Sequence, residues 1–294
     1  MPLLWPPPLA PGDCIAVVAP ASPFPREELL RGLAWLRTRY RLRVPRAIFE
    51  RDGYLAGSDA RRAAGLASAL LDDEVRAVVA VRGGYGAMRL LDAVPWAALA
   101  RRPKWLVGFS DVTALHAVAW SLGVSSVHGP NVTGLGVVVA PSVRAAWIEC
   151  LERPTAARAW PSLVVLRGGQ ARGLLVGGNL SLLHAMAAAG RLVVPPGAIL
   201  ALEDVAEAPY RVDRMLTSLR LGGHLSGVSA VVLGGFTRCA PGVDGRSVED
   251  VLAERTLDLG IPVLAGAPFG HHDRNEAFVL GRGARVHGDC VSFE

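Results

Sequence analysis

A serine lies where an apolar run meets a helical pattern in the stretch LVGFSDVTALH, residues 106–116. A strand that ends in a sharp turn before a helix is the setting in which some hydrolases expose a nucleophilic serine, because the first N–H groups of the helix can stabilise an oxyanion. Ser110 or Asp111 could also be an ordinary N-cap of that helix. The G-x-S-x-G pattern of such nucleophiles needs glycine where this chain has Val112. The local sequence therefore leaves both alternatives open and favours the cap.

A glycine-rich turn, RGGYG, occupies residues 82–86 between an apolar run and a helical pattern. Turns of this kind bring backbone N–H groups close to anions, so they can hold a phosphate, an oxyanion or a substrate carboxylate. The turn matches neither G-x-G-x-x-G nor the P-loop pattern, which argues against a nucleotide site. A tight turn that needs positive φ angles is the simpler alternative, and the local sequence favours it.

Two acids and two histidines follow later apolar runs. Glu203 and Asp204 end the run AILALEDV, and because neighbouring side chains of a strand point to opposite faces, only one of them can face a given cleft. His271 and His272 follow the run IPVLAGAPFG, and either could be a general base because imidazole titrates near neutral pH. Adjacent residues rarely converge on one ion, so the histidines and Asp273 do not predict a metal site. The local sequence does not choose between the acids or between the histidines.

The order of the elements indicates how these groups are positioned. Short β-branched runs alternate with helical patterns in the first half of the chain, which predicts an α/β fold with a mostly parallel sheet covered on both faces. Ligand sites in such sheets gather at the carboxyl ends of the strands, where RGGYG and GFSD both fall. We expect a first α/β domain over 1–150, a linker over 151–172 where the pattern weakens, and a second α/β domain over 173–294.

The composition is that of a globular protein, since 51% of the 294 residues are hydrophobic and 19% are charged. No apolar stretch reaches the ~18 residues of a membrane span, and the N-terminal sequence lacks the features of a signal peptide, so we expect a cytoplasmic protein with no membrane partner. The net charge of +5 is dispersed along the chain, which argues against a nucleic-acid partner. The four cysteines are far apart and are expected to be reduced thiols.

Taken together, these motifs resemble the LD-carboxypeptidase family, the serine peptidases that include muramoyltetrapeptide carboxypeptidases and microcin C immunity peptidases. The segments that carry the resemblance extend over nearly the whole chain, in the order PGDCIAVVAPAS, YLAGSDARRAAGL, VRAVVAVRGGYGAMRLL, GFSDVTALH, HGPN, GGNLSLL, LEDVAEAPYRVDRML and PFGHHDRNEAFVLG. The resemblance implies an N-terminal flavodoxin-like (amidotransferase-like) domain with a parallel sheet, and a smaller C-terminal α/β swivelling domain.

The resemblance also implies a Ser–Glu–His triad. Carried over by position, Ser110 is the nucleophile, Glu203 the acid and His271 the base. Such triads are defined by geometry and roles rather than by chain order. The family's oxyanion hole uses backbone amides, which map onto Gly84 and Asp111. The active site is then expected where the two domains meet, with no metal and no cofactor.

A carboxypeptidase must also recognise the terminal carboxylate of its substrate. Arg82 beside the glycine-rich turn and Asn179 are the candidate substrate-binding residues, although Arg82 could instead form an ion pair under the turn. Two departures from the family pattern can reshape the substrate pocket while sparing the triad. Asn131 stands where the family often has methionine after His-Gly-Pro, and residues 278–281 lack the proline of the family's Leu-Pro-x-Gly run. The resemblance suggests a homodimer.

The sequence is compatible with three functions. The first is a serine carboxypeptidase that cleaves the L,D bond before the terminal D-alanine of murein tetrapeptides in peptidoglycan recycling. The second keeps the chemistry but takes peptidyl-nucleotides of the microcin C type; those relatives carry an aromatic loop for the nucleobase, and residues 137–172 offer Trp147 and Trp160. The third is a non-catalytic nucleotide- or peptide-binding module, with RGGYG as an anion cradle and Ser110 as a helix cap.

Overall fold

The computed structural model describes residues 4–137, 139–243 and 245–294, which fall into two compact units. The first unit runs to Pro154 and includes Glu276–Val279, and the second consists of Thr155–Asn275 and Leu280–Glu294. The strands and helices up to Pro154 are β1 (Cys14–Val18), α1 (Arg26–Arg37), β2 (Arg41–Arg43), α2 (Asp59–Leu71), β3 (Val75–Ala80), α3 (Ala97–Arg101), β4 (Trp105–Gly108), α4 (Thr113–Ser121), β5 (Ser126–His128), α5 (Val132–Gly136) and α6 (Pro141–Glu152). Those that follow are β6 (Arg158–Trp160), β7 (Val164–Arg167), β8 (Gln170–Asn179), α7 (Leu180–Ala188), β9 (Ile199–Val205), α8 (Pro209–Leu221), β10 (Ala230–Thr237), α9 (Val248–Leu257), β11 (Val263–Gly270), β12 (Phe278–Leu280), β13 (Gly283–His287) and β14 (Cys290–Phe293).

The first unit contains a six-stranded sheet of order β12-β5-β4-β3-β1-β2, in which β1 to β5 pair in parallel. Every residue of β1 and β4 is buried, as expected for strands of a parallel sheet covered on both faces. Because β1, β3 and β4 are neighbours, their carboxyl ends meet at one edge of the sheet. The segments that leave this edge contain Ser22, the glycine-rich turn and Ser110. The prediction of a parallel α/β fold is confirmed.

The second unit contains an eight-stranded mixed sheet of order β6-β14-β13-β8-β9-β10-β11-β7. Its centre, β8 to β11, is parallel, and the flanking strands β7, β13, β14 and β6 pair antiparallel to their neighbours. The predicted second α/β domain is therefore present. Glu203 lies in β9, and His271 directly follows β11.

The stretch 151–172, for which the sequence predicted a linker, contains regular structure. Helix α6 ends at Glu152, and the short strands β6 and β7 then add to opposite edges of the second sheet. Strands of three and four residues are too short to show a periodic apolar pattern. Trp160 of β6 is nevertheless buried and stacks on Phe269 at 5.3 Å between ring centroids.

The length and hydropathy of the helices indicate whether any of them could span a membrane. In the part of the chain that the structure describes, no helix is both long and apolar enough to cross a bilayer.

Candidate active site

Ser110 has a strained backbone. It follows β4 and opens a 3₁₀ turn, Ser110–Val112, which leads directly into α4. Its φ angle is +64°, a left-handed conformation that costs an L-residue roughly 1–2 kcal/mol. Neither the turn nor α4 has a side-chain cap, and the cap positions are Phe109 and Val112. The serine therefore occupies a sharp strand-to-helix turn and does not serve as an ordinary helix cap.

The glycine-rich turn packs directly against Ser110. A Cβ atom added to Gly83 would lie 2.8 Å from the Ser110 Cβ, 3.0 Å from its Oγ and 3.2 Å from the backbone nitrogen of Asp111. Only glycine permits so close an approach. Gly84 has a φ of +108°, and a Cβ there would lie 2.5 Å from the Ser22 Oγ. The backbone of the turn, the serine side chain and the first amide of the 3₁₀ turn thus lie within a few ångströms of one another.

Two further residues, Ser22 and Asn131, hold these segments together, a role that their sequence positions did not predict. The Tyr85 N–H donates to the Ser22 Oγ at 3.0 Å, which ties the glycine-rich turn to the segment after β1. The buried Asn131 accepts the Phe109 N–H at 3.3 Å through its Oδ1 and so supports the residue before Ser110. Both lie after carboxyl ends of strands, which is the sequence signal that could have found them.

The Asp111 side chain is buried and accepts the Ala87 N–H through its Oδ2 at 2.7 Å. Desolvation raises the pKa of this carboxyl to about 6, and the Ala87 hydrogen bond and the positive charge of Arg62 oppose the rise. From the sequence, only the Asp111 backbone amide was expected to have a role. Its carboxylate forms a second connection between the serine turn and the glycine-rich turn.

Glu203 and His271 are in direct contact in the second unit. The His271 Nδ1 and the Glu203 Oε2 are 2.7 Å apart, with the glutamate side chain fully buried and the histidine side chain 18% exposed. This carboxylate fixes the orientation of the ring, and a neutral imidazole with its proton on Nδ1 can take up a second proton at Nε2. The Thr237 hydroxyl donates to the His271 carbonyl at 3.0 Å and fixes the backbone as well.

The contact is possible because β10, which lies between β9 and β11, is irregular at this level. Its register shifts on both sides within 233–236, whereas regular strands would hold β9 and β11 about 10 Å apart. Gly235 in this bulge lacks a side chain. A Cβ on Gly270, which ends β11 with a φ of +117°, would lie 3.1 Å from both the Glu203 Cβ and the Gly235 oxygen. Close backbone approach at the two glycines therefore lets Glu203 reach His271.

The neighbours Asp204 and His272 have structural roles. The Asp204 carboxylate accepts hydrogen bonds from the Asn179 side chain, the Ser181 backbone and hydroxyl, and its own following amide, all at 2.8–2.9 Å. The His272 Nε2 lies 3.1 Å from the Phe269 oxygen, and its Nδ1 accepts the Arg274 N–H at 3.2 Å. Glu203 and His271 are thus the acid and the histidine that contact each other within the sheet, whereas Asp204 and His272 contact other groups.

The two candidate substrate-binding residues lie in different units. Arg82 is exposed, and its Nη1 donates to the Pro23 oxygen at 2.6 Å. Within the described residues it makes no ion pair, so the alternative of an ion pair under the turn is not observed. Asn179 is buried and caps α7, accepting the Leu182 N–H at 3.2 Å and donating to Asp204. Ser110, Gly84, Asp111 and Arg82 belong to the first unit, and Glu203, His271 and Asn179 to the second.

The sequence matches two family models in the expected order. Residues 15–129 match the LD-carboxypeptidase N-terminal domain, and residues 172–286 match the LD-carboxypeptidase C-terminal domain. The chain belongs to the LD-carboxypeptidase family. As an LD-carboxypeptidase it is a hydrolase and a serine peptidase, which excludes the non-catalytic binding module.

Three comparisons place this LD-carboxypeptidase among known proteins. It is 34% identical over 288 residues to the murein tetrapeptide carboxypeptidase of Pseudomonas aeruginosa, covering 94% of this chain and 93% of that protein. The crystal structure of muramoyltetrapeptide carboxypeptidase from Oxalobacter formigenes superposes with a TM-score of 0.86 at 29% identity, covering 95% of this chain and 98% of that one. The structure of MccF in complex with glutamyl sulfamoyl guanosine gives a TM-score of 0.88 at 23% identity, covering 99% and 98% of the two chains, and shows the shared fold.

The two tryptophans considered as a nucleobase platform are both inside the protein. Trp147 is fully buried and packs edge-to-face on Trp35 in the first unit. Trp160 is 2% exposed and lies between Phe269 and Phe293 in the second unit. Neither ring of this LD-carboxypeptidase presents a face on which a base could stack.

Proposed function

We propose that this protein hydrolyses the L,D-peptide bond between a diamino acid and the terminal D-alanine of murein tetrapeptides, a reaction that returns wall peptides to recycling. The observation that carries the proposal is the contact between Glu203 and His271, the acid and the base of the proposed Ser–Glu–His triad, in a chain with a strained serine packed against a glycine-rich turn. The 34% identity to a murein tetrapeptide carboxypeptidase supports this substrate class.

The reaction proceeds through an acyl-enzyme. The Ser110 Oγ attacks the scissile carbonyl, and His271 accepts the hydroxyl proton at Nε2, because its Nδ1 is engaged by Glu203. Glu203 stabilises the imidazolium that forms. The C–N bond then breaks as His271 gives its proton to the leaving amine of D-alanine. Water, deprotonated by the same imidazole, hydrolyses the ester and leaves a tripeptide with a new terminal carboxylate.

The negative charge that develops on the oxygen of the scissile carbonyl must be stabilised by hydrogen-bond donors that are already in position. The backbone N–H groups of Gly84 and Asp111 are proposed for this role, and removing one such donor costs roughly 3–4 kcal/mol in related chemistry. Their support is the packing of Gly83 against the Ser110 side chain and the Asp111 nitrogen. The exposed guanidinium of Arg82 is proposed to bind the terminal carboxylate of the substrate.

Release of D-alanine from a murein tetrapeptide, followed by mass spectrometry, tests the proposal. The wild-type protein should release D-alanine and leave a matched peptide that ends in L-alanine intact, and Ser110→Ala should abolish release. Absence of release, or release that persists in Ser110→Ala, would refute the proposal.

Cleavage of a peptidyl-nucleotide of the microcin C type is the alternative substrate. The fold shared with MccF is compatible with it, but Trp147 and Trp160 are buried and supply no surface on which its nucleobase could stack. Glutamyl sulfamoyl guanosine is therefore expected to be cleaved more slowly than the murein peptide at equal concentration. A faster rate on the nucleotide would reverse the order of the two substrates.

A further inference from the structure

A single peptide bond at the end of the glycine-rich turn is held from both sides by buried charged groups. The Gly86 carbonyl accepts a hydrogen bond from the Arg62 Nη1 at 2.9 Å. The N–H of the same peptide, on Ala87, donates to the Asp111 Oδ2 at 2.7 Å. Arg62 is 4% exposed and Asp111 2% exposed, so both contacts are shielded from competing water.

Arg62 also connects this peptide to the rest of the first unit. Its Nε donates to the Gly57 oxygen at 3.2 Å, its Nη1 contacts the Pro20 oxygen, and its Nη2 pairs with Asp59. Gly86 has a φ of +126°, and a Cβ there would lie 2.7 Å from the Arg62 Nη1. Glycine is thus required for the guanidinium to reach the carbonyl. The end of the turn is tied at once to the segments after β1 and before α2.

The turn needs such ties because of its own composition. Three of its five residues are glycine, the residue that loses most conformational freedom on folding. An oxyanion donor is effective only when it is already in position before charge develops. Holding the Gly86–Ala87 peptide fixes one end of the turn, and the Tyr85 hydrogen bond to Ser22 fixes its middle.

We propose that Arg62 and Asp111 are paired positioning residues, which hold the Gly86–Ala87 peptide and through it keep the Gly84 amide in place beside Ser110. The inference rests on the proposed function for the role of Gly84. A buried carboxylate is costly to desolvate, and a fold that needed only a turn at this point would not require two buried charges on one peptide. Asp111 thus contributes twice, with its amide as an oxyanion donor and with its side chain as the support of the other donor.

Four variants test the pair, with kcat, KM, the labelling rate of Ser110 by a fluorophosphonate, and hydrogen exchange of residues 82–90 as measurements. Asp111→Ala should lower kcat and the labelling rate by about 10- to 100-fold, short of the ~10²–10³-fold loss of a whole oxyanion donor. KM should stay within about threefold, because Arg82, the residue proposed to bind the substrate, lies at the other end of the turn and is held separately by the Pro23 oxygen. Asp111→Asn keeps an oxygen that can accept the Ala87 N–H, so its kcat should remain within about tenfold of wild type, the scale of one hydrogen bond.

Arg62 is tested by a conservative variant and a double variant. Arg62→Lys keeps the charge, but one ammonium group cannot reach the carbonyls of Gly57, Pro20 and Gly86 together, so kcat should fall and residues 82–90 should exchange faster. Because both side chains act on one peptide, Arg62→Lys combined with Asp111→Ala should lose no more kcat than the worse of these two single variants.

Lys104→Met is the matched control. Lys104 is 1% exposed in the same unit and donates to the backbone oxygens of Ala69 and Asp72, away from the turn. It should lower stability while kcat per folded molecule and exchange of residues 82–90 stay at wild-type values.

These measurements can either support or overturn the proposed positioning role of Arg62 and Asp111. The proposal is overturned if Asp111→Ala and Arg62→Lys lower kcat no more than Lys104→Met, if residues 82–90 exchange at the wild-type rate in these variants, or if the losses multiply in the double variant. Should Asp111→Ala fail to fold, Asp111→Asn and Arg62→Lys still give the comparison. A wild-type protein that is labelled at Ser110 but releases no D-alanine would refute the substrate, while labelling and exchange would still test the positioning pair.

Discussion

The strained backbone of Ser110 makes a prediction about stability that is separate from its proposed chemistry. A φ of +64° costs an L-residue about 1–2 kcal/mol and costs glycine nothing. Glycine in turn loses about 0.5–1 kcal/mol more backbone entropy on folding. Ser110→Gly should therefore be more stable than Ser110→Ala by about 0.5–1 kcal/mol, although both variants lack the hydroxyl.

Ser68 provides a control of opposite sign. It is an exposed residue within helix α2 of the same unit, so only the entropy of glycine distinguishes its two variants. Ser68→Gly should be less stable than Ser68→Ala by about 0.5–1 kcal/mol. The stability difference between the glycine and alanine variants is then compared at positions 110 and 68. The backbone entropy of glycine contributes equally at both positions and cancels, so what remains is the cost of the left-handed conformation at Ser110, about 1–2 kcal/mol.

Equilibrium urea unfolding followed by tryptophan fluorescence measures these differences. The signal reports mainly on the first unit, because every tryptophan except Trp160 belongs to it. If Ser110→Ala proves more stable than Ser110→Gly, as at Ser68, then the serine is not left-handed in solution. A strained turn would then not be what exposes the Ser110 hydroxyl.

Three further predictions concern the residues around the two turns. Glu203→Gln should lower kcat by about 10²–10⁴-fold, because it removes the carboxylate that orients His271. Asp204→Asn should lower the urea midpoint and spare kcat. Equal kcat losses in the two variants would contradict the assignment of Glu203 as the residue that orients His271. Gly270→Ala should cost about 1–3 kcal/mol of stability and lower kcat, because its Cβ would meet the Glu203 Cβ at 3.1 Å; a fully active, fully stable variant would contradict the geometry. The raised pKa of Asp111, about 6 against 3.8, means that the folded state binds the proton more tightly, so wild-type stability falls as pH rises from 4 through 6. Relative to Asp111→Asn the loss should approach roughly 3 kcal/mol by pH 7, and a stability difference that does not change between pH 4.5 and 7 would contradict it.

The parts of the fold and site that the sequence predicts are those with a local signal. The buried β-branched runs predict the parallel strands, and their ends predict where RGGYG and Ser110 lie. Strand alternation predicts that Glu203 and Asp204 diverge, and the structure shows one at His271 and the other at the start of α7. Family resemblance was needed to choose between them, because a strand pattern does not tell which face meets the histidine.

The supporting residues could not be predicted, for a physical reason. Arg62 acts by donating to backbone carbonyls of Gly57, Pro20 and Gly86, and a carbonyl acceptor is present at every residue, so the partner leaves no signature in side-chain type. Within α2 an arginine followed by alanines indicates only a solvated helix face. The edge strands around Trp160 were missed because three residues carry no period.

The backbone around each proposed catalytic residue is also held in place by the residue next to it in the chain. Asp204, next to Glu203, accepts hydrogen bonds at the start of α7, and His272, next to His271, bonds to the strand end that precedes it. Asp111, next to the nucleophile, holds the glycine-rich turn. Holding one residue in place also restricts the position of its neighbour, because the peptide bond is planar and only two rotatable backbone dihedral angles lie between neighbouring Cα atoms. For Asp111, whose carboxylate reaches the end of the glycine-rich turn, substitution should therefore lower activity through position, with kcat affected more than substrate binding.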